Sequence, residues 1–498
     1  MTSFETLYQQ SLLADASYID FDEFYVSGTN IVDKEDPGLE TELKKRGFTE
    51  KQVEDFLGRY TIRNFEPNTF GGFSATIFID TQNNNKLTVA FRGTEPDNGY
   101  EEAAVDFFQD FLLAFGLSYL NPIAQEDYTS TFLFDAGLIL ADGTTNPNFA
   151  QGVDFVGHSL GGFLAVLAAF EFPGLVDQVY TLNGAGISLS DAFLTAVVKP
   201  LFSSTDLDYS RVHNYFAEPG AEVTAGQILS DVSVAWRPGS REGMFVENQT
   251  GTGNHSMGNL VNILSVSRIF SLLDSSASFA DIDRVFWQAV NKEVEKRNAD
   301  GLPVASVEGA ETLDLVMTAF AEILGGAHAG FTTVNDAPEF HEALESAGLT
   351  FRVKFSADIV NYFSGTVNNE TDTKESRAYM YALVEGVPFA LIPDNGAYSD
   401  GIFSSSASSL TYDITQYSQN YFRDRLSYFE AVMENNQDDL FLAPKIDGEV
   451  VYFWDDQQGG LLAGESIGQG GNSTTSREDG KNILFGGTAN EEFVGRDF

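Results

Sequence analysis

The sequence predicts an α/β fold, a mostly parallel sheet with helices on both faces. Two observations carry that expectation. Apolar strand-like runs alternate with helix-patterned segments along the first half of the chain. In its middle, the strand-like VDFV meets a helix-patterned LGGFLAVLAAFEF across a single short turn at Gly157-His158-Ser159.

Up to about residue 60 the pattern is helical, with Leu7, Leu12 and Leu13 opening an apolar face. FSATIFID and KLTVAFRG then read as two strands joined by the polar turn TQNNN. A long aromatic segment follows, AVDFFQDFLLAFGLSYL, and after it a helix over about 125–141. The strand GVDFV leads through Ser159 into a helix that Pro173 stops. VDQVYTLNGAG and SRVHNYFA are two further strands, and GNHSMGNLVNILSVSRIFSLL is a loop entering a helix.

Beyond about residue 275 the character changes. Ile282, Val285, Phe286, Ala289 and Val290 keep helical spacing, as do Phe422, Leu426, Phe429 and Met433, and these stripes are read as core. From about 456 the chain is rich in glycine and polar residues and reads as an irregular end. The expected organisation is therefore an α/β domain over 1–275, a mostly helical accessory region over 276–455, and a short Gly-rich C-terminal tail over 456–498.

Composition narrows the function. With 28 basic and 73 acidic residues the formal charge is −45, which repels nucleic acid and anionic membrane surfaces. The chain has no cysteine, so disulfides, thiol catalysis and cysteine metal sites are excluded. The first basic residue is Lys34, so the N-terminus lacks the basic region of a signal peptide. No apolar run approaches a transmembrane length, and a soluble protein is expected.

Two G-x-S-x-G matches exist, centred on Ser159 and Ser466. A nucleophile elbow needs a strand that ends abruptly, a strained serine and a helix that starts at once. Its glycines are required because side chains there would collide with the neighbouring strand and helix. Ser159 has that context, with Gly161, Gly162, Ala165, Ala168 and Ala169 keeping the following helix slim. Ser466 lies between LLA and QGGNSTTS, with no helix to follow. Ser159 is the candidate nucleophile.

A serine needs a base, and the chain has five histidines. His158 adjoins the nucleophile and is expected to point elsewhere. His213 sits within a strand, and His328 and His341 lie in the helical region. His255, on the polar loop TGTGNHSMGNL, is the candidate general base. The third member should be a carboxylate between Ser159 and His255, orienting the imidazole and stabilising the imidazolium. Glu218, Glu222 and Asp231 all qualify, and Glu222, in a Gly-Ala turn just past the strand, is the choice. Two main-chain N–H groups are needed for the oxyanion; Leu160 supplies one, and Thr94, after the strand ending at Arg92-Gly93, the other.

Taken together, Phe91-Arg92-Gly93-Thr94, Asp106-Phe107-Phe108-Gln109-Asp110, Gly157-His158-Ser159-Leu160-Gly161-Gly162 and the late histidine resemble the class 3 lipase family of α/β-hydrolases. The resemblance covers roughly residues 5–275. It implies an α/β-hydrolase fold, oxyanion stabilisation by Thr94, and a lid over the ester-binding cleft within about 97–120. Glutamates stand where that family usually shows an aspartate.

A second resemblance lies at the C-terminus, where NILFGGTANEEFVGRDF is similar to the glycine-rich nonapeptide of RTX proteins. About one repeat is present, with Ala489 in place of a glycine and Glu491 in place of an aspartate. This resemblance implies a structural calcium ion and secretion by a type I route without an N-terminal signal peptide, while the serine chemistry itself is expected to need no cofactor.

The function expected from these readings is hydrolysis of a lipid carboxylic ester through an acyl-enzyme on Ser159. The aromatic run Phe107, Phe108, Phe111, Leu112, Phe115 and Leu117 motivates a lipid ester as substrate and transient contact with a lipid interface. A phospholipase A1 or a polyester-cleaving esterase is the alternative within the same chemistry. A calcium-binding or adhesive RTX-type protein with an inactive hydrolase fold is the alternative from another class, and a peptidase is a third.

Overall fold

The computed structural model describes residues 3–26, 28–67, 73–93, 121–185, 207–218, 238–247, 255–289, 312–365, 371–394, 398–404, 412–437, 445–446, 449–455, 460–462 and 481–485. The chain divides into two units, Met1–Ser265 and Val266–Phe498.

The first unit begins with three helices. α1 (Phe4–Ala16) starts where the Ser3 hydroxyl accepts the Thr6 N–H. α2 (Pro37–Lys45) starts at Asp36 with proline in its first turn, and Lys44 and Lys45 close it, where cations suit the helix dipole. α3 (Glu50–Arg59) carries a reciprocal cap between Thr49 and Gln52. The strands follow as β1 (Tyr60–Glu66), β2 (Ala75–Asp80), β3 (Lys86–Phe91), β4 (Val153–His158), β5 (Val176–Leu182), β6 (Val212–Glu218) and β7 (Ser240–Phe245). Between them run α4 (Asn121–Asp135) and α5 (Leu160–Glu171), and α6 (Met257–Leu273) comes after β7.

These seven strands form one sheet in sequence order. β1, β2 and β3 pair antiparallel, whereas β3 through β7 run parallel. Side chains alternate across a strand, so β4 shows how both faces are covered. Val153 and Phe155 join the apolar cluster built around Leu164, Ala165 and Ala168 of α5. Asp154 and His158 point the other way, where Asp154 meets Gln10 of α1 and His158 meets Tyr18 just beyond it. The expected α/β-hydrolase fold, a mostly parallel sheet between helices, is the observed one.

Two strands were not legible as strands. In β1, YTIRNFE, polar residues separate the buried Tyr60, Ile62 and Phe65, and β7, SREGMF, begins with polar residues.

The second unit contains α7 (Phe279–Ala289), α8 (Thr312–Leu324), α9 (Ala337–Ala347), α10 (Ser356–Ser364), α11 (Lys374–Glu385) and α12 (Gln419–Gln437). Ile282, Val285 and Phe286 are buried, as the helical spacing requires, and so are Phe422, Leu426, Phe429 and Met433. Phe270, Phe320 and Phe389 meet with ring centroids 4.7 and 5.0 Å from that of Phe270. Arg425 is buried, and its guanidinium donates to the carbonyls of Leu383 and Val384 at the end of α11.

The unit is not purely helical. β8 (Phe351–Phe355) pairs antiparallel with β9 (Phe389–Pro393). A four-stranded sheet joins β10 (Lys445–Ile446), β11 (Glu449–Asp455), β12 (Gly460–Leu462) and β13 (Lys481–Phe485), with β13 parallel to β11. Two of these strands fall within the stretch read from composition as irregular, because glycine-rich flanks obscured runs as short as GLL and NILF. Beyond Phe485, the RTX-like segment lies outside the described residues. No described helix is long and apolar enough to cross a membrane.

Candidate active site

The parallel strands β3 to β7 share one carboxyl edge, where open α/β sheets place their ligands. In register, Phe91 sits beside Gly157, His158 beside Leu182, Leu182 beside Tyr215, and Glu218 beside Phe245. Arg92-Gly93, Ser159 and Asn183-Gly184-Ala185 therefore leave the sheet side by side.

Ser159 stands between β4 and α5 with φ 56° and ψ −125°. A non-glycine residue in that region is strained by about 1–3 kcal/mol and persists only where its surroundings enforce it. Three main-chain hydrogen bonds do so. Ser159 N–H donates to the Leu182 carbonyl at 3.1 Å, and the Ser159 carbonyl accepts from Gly162 at 3.1 Å and Ala185 at 2.9 Å.

The glycines of the motif are demanded by contact. A Cβ on Gly157 would lie 2.6 Å from the Gly162 nitrogen, and one on Gly161 would lie 2.7 Å from the Phe91 carbonyl carbon. A Cβ on Gly93 would come within 2.6 Å of the His158 oxygen and 3.0 Å of Ser159 Cβ. The turn after β3 thus lies against the serine. Thr94, the next residue, lies outside the described residues, as does the segment 97–120 read as a lid. Leu160 opens α5, where main-chain N–H groups lack acceptors within the helix and the helix dipole favours negative charge.

His255 comes to this edge from 97 residues away. Its ring lies 4.6 Å, centroid to centroid, from the ring of His158, tilted by 37°. Its main-chain oxygen accepts from His158 Nε2 at 2.7 Å. Burial pushes the His255 imidazole down to about 4, so it is neutral at pH 7 and able to take a proton. His158 is held well below the usual imidazole range by burial, by the neighbouring His255 and by Arg46, with its hydrogen bond to His255 opposing them. A neutral His158 that donates from Nε2 must accept at Nδ1, and it does so from the Tyr18 hydroxyl at 2.7 Å. His158 thus points away from the serine side chain's helix, as expected, yet remains within the site.

Of the candidate acids, Glu222 and Asp231 lie outside the described residues. Glu218 ends β6 with an exposed side chain whose carboxylate lies over Gly243 of β7. A polar chain braces this corner of the sheet. Thr181 Oγ1 donates to Asn214 Oδ1 at 2.9 Å, and Asn214 Nδ2 donates to the carbonyls of Pro238 and Ser240, both at 2.8 Å. Asn183, itself at φ 47°, accepts the Ala217 N–H at 2.8 Å.

The remaining histidines do other work. His213 bonds to Gln178 at 2.9 Å and stacks on Tyr180, consistent with its strand position. His328 is buried in the second unit against Phe340. Among the described residues no cluster of His, Asp and Glu is arranged to hold a metal ion.

No family model matches the chain, and no curated protein does. Among solved structures it is similar to Lip2 lipase from Yarrowia lipolytica, at 16% identity over 49% of this chain and 79% of that one, with a TM-score of 0.26. It is also similar to the native propeptide complex of Rhizomucor miehei lipase, at 14% identity over 50% of this chain and 70% of that one, with a TM-score of 0.25.

Proposed function

We propose that the chain is a serine esterase that hydrolyses carboxylic esters of lipids. The observation that carries this reading is the backbone of Ser159, forced to positive φ at the carboxyl edge of a parallel sheet, with the His255 ring packed 4.6 Å, centroid to centroid, from that of the adjacent His158. A buried serine held in strain serves no purpose in packing, and it is the geometry a nucleophile elbow needs.

In the proposed reaction His255 accepts the Ser159 proton as Oγ bonds to the acyl carbon. The N–H groups of Leu160 and Thr94 hold the oxyanion, and Glu222 orients the imidazole, with Glu218 and Asp231 as the other candidates for that role. The ester C–O bond breaks, and the alcohol leaves with the proton that His255 returns. Water then gives its proton to His255 and attacks the acyl-enzyme, releasing the fatty acid and restoring Ser159. Phospholipids and polyesters fall under the same chemistry, because the triad does not read the alcohol. The aromatic run at 107–117 is proposed to face the lipid, the RTX-like tail to hold structural calcium, and the protein to be secreted.

The test is turnover of a medium-chain p-nitrophenyl ester by wild type, Ser159→Ala and His255→Ala. Loss of turnover by about 10⁴-fold or more in each variant is expected. Full turnover by Ser159→Ala would refute the mechanism. A panel of triacylglycerols and phospholipids, with and without calcium, then assigns the lipid class.

A further inference from the structure

We propose that Tyr18 and His158 are positioning residues for this reaction. Together they hold the main chain of His255 so that its imidazole stands at the Ser159 hydroxyl. The inference rests on the esterase reading above and adds a function for two residues outside the triad.

The geometry runs in one direction. The Tyr18 O–H donates to His158 Nδ1 at 2.7 Å, which leaves the ring proton on Nε2. Nε2–H then donates to the His255 carbonyl at 2.7 Å. The other tautomer would present two lone pairs to each other at the His255 oxygen and lose the bond. His158 is the last residue of β4, immediately before Ser159, so the bond ties the base to the same strand end that carries the nucleophile. A loop residue is thereby referenced to the most buried strand of the sheet, all six of whose residues are buried.

Tyr18 is itself held in place. The Arg46 guanidinium lies 4.7 Å and the Arg92 guanidinium 5.5 Å from its ring centroid. Arg46 is fixed in turn by Asp15 at 2.7 Å. Two cations over the phenol ring favour donation from its hydroxyl. Burial, with the neighbouring His255 and Arg46, disfavours a positive charge on His158, which therefore keeps its acceptor and its donor across neutral pH.

The experiment compares Tyr18→Phe, His158→Gln and His158→Asn with wild type, measuring kcat and KM for a soluble short-chain ester together with the melting temperature. A glutamine amide nitrogen reaches the place of Nε2, whereas an asparagine one does not. Expected are a fall in kcat of about 10–100-fold for His158→Asn and Tyr18→Phe with KM within about twofold, and recovery to within about fivefold of wild type in His158→Gln. If His158→Asn does not fold, Tyr18→Phe, which removes a single oxygen, decides alone. Wild-type kcat in Tyr18→Phe, or equal losses in the asparagine and glutamine variants, would overturn the proposal. Ser159→Ala run alongside separates the two readings: turnover in that variant refutes the esterase, while its inactivity beside fully active His158 and Tyr18 variants refutes the positioning role alone.

Discussion

Replacing Gly161 with alanine should damage both stability and catalysis, and by an amount the structure sets. The new Cβ would lie 2.7 Å from the Phe91 carbonyl carbon and 2.9 Å from that of Arg92, and closer still to the Phe91 oxygen, where ordinary contact begins at 3.4 Å. At least 0.7 Å of movement is therefore needed, from 3.4 minus 2.7. Neither side yields easily, because Phe91 is paired with Ala75 on one flank and Gly157 on the other. Overpacking costs about 1–3 kcal/mol, and rigid main chain on both sides argues for about 3 kcal/mol. For a unit of this size that corresponds to about 6–12 °C in melting temperature. Moving the start of α5 also displaces Ser159 and the Leu160 N–H, so kcat should fall by about 10²-fold. Gly58→Ala is the control: it lies exposed in α3 with no atom within 4 Å of its built Cβ, and the alanine should stabilise by about 0.5–1 kcal/mol. Differential scanning calorimetry and ester turnover read both effects. A Gly161→Ala enzyme with the melting temperature and kcat of wild type would refute the close packing of elbow and strand.

Other consequences concern charge. With His255 depressed to about 4, kcat/KM should rise with pH through a midpoint near 4 and be flat by pH 6, in place of a midpoint near the 6.5 of an ordinary imidazole. The same depression bears on stability: between pH 6.5 and about 4 the unfolded chain binds a proton that the folded one refuses. Wild type should thus lose about 3 kcal/mol relative to His255→Gln as pH falls across that window, read by urea unfolding at each pH. At the opposite edge of the sheet, burial raises the Asp154 carboxyl to about 6 even though Lys86 lies 3.2 Å away. Lys86→Met should leave that carboxyl without its cation and destabilise the fold by about 2–3 kcal/mol at pH 7.5, with most of the loss recovered at pH 5, where Asp154 is protonated.

How much of this was legible depended on where each signal resided. The central strands were readable because burial on both faces makes them continuous apolar runs, as in VDFV and KLTVAF. The elbow was readable because close approach of main chains excludes every residue but glycine at 157, 161 and 162, which leaves a mark in the sequence. The edge strands β1 and β7 left no such mark, since polar residues interrupt their apolar positions, as in YTIRNFE and SREGMF. His255 was singled out as the candidate base by its polar loop, but the hydrogen-bonded chain of Tyr18, His158 and His255 was not legible. It joins the turn after α1, the end of β4 and a loop, residues 140 and 97 positions apart, and its only trace is a histidine beside the serine. The choice among Glu218, Glu222 and Asp231 depends on a loop trajectory that residue types do not encode.

The most direct measurement is covalent. Incubation of the full chain with a fluorophosphonate probe, followed by peptide mass spectrometry, should place one phosphonyl group on Ser159 and none on Ser466, with no labelling in Ser159→Ala and strongly slowed labelling in His255→Ala. Ester turnover by a folded chain whose Ser159 stays unlabelled would contradict the assignment of that hydroxyl as the nucleophile.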